Sequence, residues 1–143
     1  MTTTDSDITT EVGSWPGVTV GPHRFAGTEF SLDGREFGHL HAGWQVDVPF
    51  TRRLRDALVA EGAAAEHHLY PESGWVTYYL DSEAGSAGAV RLLRLSYLAR
   101  VAALRRRADP PGELEGVDVA AELARLDPSD AVRTAFGLDP VEG

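Results

Sequence analysis

Apolar residues recur at two different periods along the 143-residue chain, and each change of period marks a new element. In "TEFSLDGREFGHLH" (28–41), Phe30 and Leu32 alternate with polar neighbours up to Asp33-Gly34, and alternation resumes after it. An Asp-Gly pair between two alternating runs is a strong hairpin signal, so strands are predicted at about 28–32 and 35–41. Upstream, Val18 and Val20 alternate with polar or small residues, as in a strand. Downstream, "WQVDV" (44–48) reads as a short strand stopped by Pro49. "AEHHLYPESGWVTYYL" (65–80) reads as a second hairpin, with its turn at Pro71, Glu72, Ser73 and Gly74 and β-branched and aromatic residues in the return strand.

The helical period appears in two main places. After Thr51, a suitable N-cap, Leu54 and Leu58 fall on one face with Ala57 beside them, and Gly62 is placed to end the helix, which predicts a helix over 51–61. The longest periodic run carries Val90, Leu93, Tyr97, Val101 and Leu104 on one stripe and closes on three arginines, which predicts a helix over 87–106. Asp109-Pro110-Pro111-Gly112 is a breaker. Beyond it two short helices are expected, at 118–126 and 129–136, with apolar faces made by Val119, Leu123 and Leu126 and by Val132 and Phe136. These faces need a surface, either the parent domain or a partner.

These elements predict an α+β domain. It consists of a small, mostly antiparallel sheet of about five strands with two main helices packed on one face, plus a short helical C-terminal tail. The predicted parts are a flexible N-terminus (1–13), an α+β domain (14–108) and an acidic helical tail (109–143).

Composition narrows the chemistry. A formal charge of −9, from 22 acidic and 13 basic residues, argues against nucleic acid or an anionic membrane as partner, because phosphate binding runs on surplus cationic charge. The chain has no cysteine, so disulfides, thiolate nucleophiles and sulfur-ligated metal are excluded. Every basic residue is arginine, which also excludes lysine Schiff-base chemistry. No apolar run reaches the length of a membrane span and the first residues lack the pattern of a secretory signal, so a cytoplasmic protein is expected.

The candidate chemistry lies in His39-x-His41, because alternate strand residues project side by side and can reach one ligand. What they face depends on register. A two-residue turn without a bulge pairs Thr28 with His39 and puts both histidines on the face of Phe30 and Phe37; this is the favoured register. A three-residue loop with a bulge instead shifts the pairing by one, brings Glu29 opposite His39 and makes a polar constellation with His41. His67 or His68 can add a third imidazole, but adjacent strand residues point to opposite faces, so at most one joins. With Asp47 or Glu29, three imidazoles would make a metal site. Arg24 is a candidate clamp for an anionic oxygen.

The stretches "WPGVTVGPHRFAGTEF", "GREFGHLH", "DVPF", "SGWV" and "LLRLSY", taken in order over about Trp15 to Tyr97, resemble the luciferase-like domain family, small bacterial proteins that share a domain with the fungal luciferases. Ala26 departs from the pattern, since relatives often carry a second glycine there. The resemblance implies a small-molecule pocket and a cofactor-independent oxygenase reaction, in which dioxygen meets an enolisable aromatic or pyrone-like substrate without metal or organic cofactor. It places His39 and His41, the catalytic candidates, inside the family's motif; the reading of the residues puts Arg24, Glu29, Phe37, His68 and Trp75 against the substrate, in a pocket between sheet and helices. Two other readings fit the residues: a non-catalytic protein-interaction module that uses the helices at 118–136, and a His-based metal-binding protein.

Overall fold

Asp33 and Gly34 both take positive φ, 52° and 78°, so the first hairpin closes through the two-residue turn that matches strand twist. The computed structural model describes residues 3–23, 27–41, 43–67, 69–70 and 72–137. Among these, β1 (Val18–His23), β2 (Gly27–Leu32), β3 (Arg35–His41), β4 (Gln45–Pro49), β5 (Ala65–Glu66) and β6 (Trp75–Tyr79) form one antiparallel sheet in the order β1-β2-β3-β4-β6-β5. The sheet thus has six strands rather than about five; the α+β class stands. β5, the outgoing arm of the expected second hairpin, is only two residues long and pairs with the middle of β6.

The hairpin register combines both sequence expectations. Next to the turn, Leu32 pairs with Arg35 and Ser31 with Glu36, as a two-residue turn requires. Between Ser31 and Phe30 the ladder slips by a β-bulge, so Phe30 faces Gly38, Glu29 faces His39 and Thr28 faces Leu40. The favoured pairing of Thr28 with His39 is therefore corrected. The bulge inserts Phe37 as the extra residue, and each side chain beyond it switches faces relative to an unbroken ladder.

Helices cover one face. α2 (Arg52–Ala60) is capped by Thr51, whose side chain accepts from the Leu54 N–H at 3.2 Å, and it buries Leu54 and Leu58. α3 (Gly85–Arg105) packs on β3 and β4 and buries Leu93, Tyr97, Val101 and Leu104 from the predicted stripe. Within the stretch expected to be loose, Thr3–Gly13 forms helix α1, which lies against α3 and buries Ile8 and Val12. Those two residues are one helical turn apart, but a surround of Thr and Asp, weak helix formers, hides the signal from periodicity. Trp15 then packs on Phe37 and Tyr97, and the Tyr97 hydroxyl donates to the Pro16 carbonyl at 2.7 Å.

The tail docks on its own domain. A 3₁₀ turn (Gly112–Leu114) leads to α4 (Val119–Leu126), which packs on α3, and α5 (Asp130–Phe136), which packs on α2. Val119, Leu123 and Val132 are buried in the common core. Arg94 bridges to Glu122 at 2.6 Å, and Ser129 donates to Glu61 at 2.6 Å. No helix among the described residues is long and apolar enough to cross a membrane.

Gly38 faces α3 so closely that a Cβ there would collide with the Leu93 side chain. Gly38→Ala is expected to lower stability by about 1–3 kcal/mol in urea unfolding through overpacking. In the Leu93→Ala background the same substitution should cost much less, because the clash is removed.

Candidate functional site

The bulge decides which face carries the chemistry. Phe30, Leu32, Leu40, Val46, Val48, Val76 and Tyr78 are buried with Phe37 in the core, and their strand neighbours therefore project from the other side of the sheet. That side receives Glu29 from β2, Glu36, His39 and His41 from β3, Gln45 and Asp47 from β4, and Trp75, Thr77 and Tyr79 from β6. Register sets the row: Glu29 is paired with His39, His39 with Asp47, and Asp47 with Thr77. His39 and His41 thus lie across the sheet from the helices, not between sheet and helices.

Asp47 is the centre of the row, with 1% of its surface exposed. Its Oδ2 lies 2.8 Å from His41 Nε2, 3.0 Å from His39 Nε2 and 3.4 Å from His67 Nε2. Its Oδ1 accepts from Thr77 Oγ1 at 2.8 Å and from Gln45 Nε2 at 3.1 Å. Burial alone would raise the carboxyl pKa, but the hydrogen bonds from His39, Thr77 and His41 outweigh it and hold Asp47 well below the usual carboxylate range. His39 is also gripped from behind: its Nδ1 lies 2.6 Å from Glu36 Oε2. Burial works to lower its pKa, and the hydrogen bonds to Asp47 and Glu36 overcome that and raise it to about 9.

His67 ties a loop to this centre. Its Nδ1 accepts the backbone N–H groups of Leu69 and Tyr70, each at 3.1 Å, which places its ring proton on Nε2, facing Asp47. Around the polar floor stand rings. His23 stacks on His39 with centroids 4.0 Å apart and pairs with Glu29 at 3.0 Å. Trp75 leans on His39 and His67, and Trp44, 57% exposed, lies beside His41 and stacks on the exposed Tyr79. Tyr70 stacks on His67 and is exposed at the opposite rim.

Of the residues singled out from sequence, His39, His41, Glu29 and Trp75 meet on this face. Phe37 does not: it is buried among Trp15, Phe30 and Tyr97, because the bulge keeps it on the helix side. Arg24 and His68 lie outside the described residues. Sequence reasoning gave no role to Glu36, Gln45 or Thr77 and left His67 undecided. A signal existed in "QVDVP", where a carboxylate and an amide alternate with valines and so must share the face away from the core. A cavity of about 500 Å³ lies elsewhere, among Leu58, Ala63, Tyr78, Leu92, Leu95 and Val132 on the helix side; its lining is mainly apolar, whereas the converging polar groups are on the opposite face.

Asp47→Ala leaves three imidazoles without their common acceptor. It is expected to cost about 3–5 kcal/mol, the scale for breaking a buried pair. Thermal and urea unfolding would measure it, and Asp47→Asn, which keeps the shape and the Oδ1 acceptor, should lose less.

The comparisons with known proteins come to the same stretch of chain. No curated protein matches it. Residues 34–96, a little under half of the chain, match the family model described as the luciferase domain, and that stretch holds Glu36, His39, His41, Asp47, His67 and Thr77. Over this segment, which runs from the first hairpin turn into α3, the protein is similar to luciferase domains.

Proposed function

We propose that the open face of the sheet binds a small, flat molecule carrying an acidic enol or phenol, and that dioxygen oxidises it there. The observation that carries this reading is the joining of a polar floor, where three imidazoles converge on Asp47, to an exposed aromatic rim at Trp44 and Tyr79. A planar ring gains by stacking on an exposed indole, and the adjacent imidazoles are the residue type that exchanges protons near neutral pH. Dioxygen is chosen as the co-reactant because the chain resembles the luciferase-like domains.

The chemistry balances without a further reductant. The enol gives its O–H proton to a base of the site and its carbon donates an electron pair to dioxygen, forming a C–O bond. The distal oxygen takes up a proton to give a hydroperoxide. The carbon is oxidised by two electrons and dioxygen is reduced to the peroxide level.

Binding is tested by titrating hydroxylated pyrones and related phenolic enols into the protein, with oxygen uptake followed in parallel. Trp44→Ala, an exposed substitution that spares the core, is expected to weaken binding about 10-fold, equivalent to about 1.4 kcal/mol. His41→Ala should retain binding and lose uptake. If no compound of the panel binds, or binding is indifferent to Trp44, the reading is wrong.

A further inference from the structure

The three atoms that meet at the site centre form a small triangle. His39 Nε2 and His41 Nε2 are 3.2 Å apart, and each lies close to Asp47 Oδ2, at 3.0 and 2.8 Å. Ligand atoms at about 2.1 Å from a six-coordinate ion sit about 3 Å from one another when they are neighbours, so this triangle has the dimensions of one face of such a shell. We propose that His39, His41 and Asp47 bind one divalent first-row transition-metal ion as a two-imidazole, one-carboxylate triad.

What surrounds the triangle supports a built site. A ligating imidazole ordinarily donates its other ring N–H to a carboxylate, and Glu36 Oε2 stands 2.6 Å from His39 Nδ1, which turns the Nε2 lone pair toward the centre. Asp47 is held the same way: Thr77 and Gln45 hold Oδ1, and Oδ2 lies nearest the two imidazoles, with Gln45 Nε2 at 3.3 Å and His67 Nε2 at 3.4 Å farther off. His67 is a positioning residue rather than a fourth ligand, because the backbone N–H groups of Leu69 and Tyr70 occupy its Nδ1 and leave the proton on the Nε2 that faces Asp47. His39 and Asp47 are buried, whereas the His41 side chain is 23% exposed, so the triad opens toward the aromatic rim, where an exogenous ligand could complete the shell.

His39 also clusters with His23 and Glu36, but that group does not serve as a second site. The 2.6 Å between His39 Nδ1 and Glu36 is the length of a charge-assisted hydrogen bond and is shorter than the spacing of two ligands on one ion. In the metal-free protein Asp47 Oδ2 serves both imidazoles as a hydrogen-bond acceptor, and an ion bound there would take the place of the Nε2 protons of His39 and His41.

The test uses the full chain, stripped with a chelator and dialysed, then titrated by calorimetry with Co(II), Zn(II), Mn(II) and, without oxygen, Fe(II). One ion per chain is expected for at least one metal, with Co(II) showing visible absorption from imidazole ligation. His41→Ala, at the exposed corner, should keep the fold by circular dichroism and weaken binding on the order of 100-fold. Glu36→Gln should weaken it by roughly 10–100-fold, as loss of an outer-shell carboxylate does. Absence of binding by all four metals, or binding left unchanged in folded His41→Ala, would overturn the site. The titration involves no organic ligand, so its failure leaves the enol reading standing, and failure of the enol panel leaves the metal result standing.

Discussion

Phe37 and Gly38 are consecutive residues of a strand, yet both turn toward the helices, and the chemistry of this domain depends on that. The bulge opposite Phe30 and Ser31 inserts Phe37 into the core beside Trp15 and Tyr97, and Gly38 then slides under Leu93 because it has no side chain. Without the slip, His39 and His41 would face a layer of leucines and aromatics, where two imidazoles and a carboxylate would lack water and partners. With it, they face outward over a sheet whose other side packs against the helices.

Asp47 illustrates how such a cluster persists. A carboxylate with almost no exposed surface loses its hydration, a penalty of several kcal/mol that must be offset locally. The offset comes from four directions: His39 and His41 across one edge of β4, Thr77 across the other, Gln45 from the same strand, and His67 from the loop before β6. The arrangement couples distant pieces of sequence, since the loop that His67 folds also carries Tyr70 to the rim. Groups that converge this densely on one oxygen are typical of functional centres, where structural economy alone would favour apolar packing.

The helical layer keeps this face clear. α1, α3 and the tail helices all pack on the opposite side or at the sheet's β6 end, and the tail buries its apolar residues there. The apolar cavity on that side and the polar centre on the other are separated by the sheet itself, so a cavity's size is a poor guide to where the reactive groups are.

The local rules were legible in the sequence. Asp33-Gly34 specified its turn, Thr51 specified a helix start, and the stripe from Leu93 to Leu104 specified the long helix, because each depends on residues a few positions apart. The histidine pair and the alternation of Gln45 and Asp47 with valines were legible in the same way. Which side of the sheet they occupy was not, and neither was the choice of His67, nor the burial of α1. Face is a matter of parity along a strand, and a single bulge reverses it for everything beyond. That bulge is fixed by Phe37 finding Trp15 and Tyr97, and by Gly38 finding Leu93, contacts between segments far apart in the chain, so only the tertiary structure could decide it.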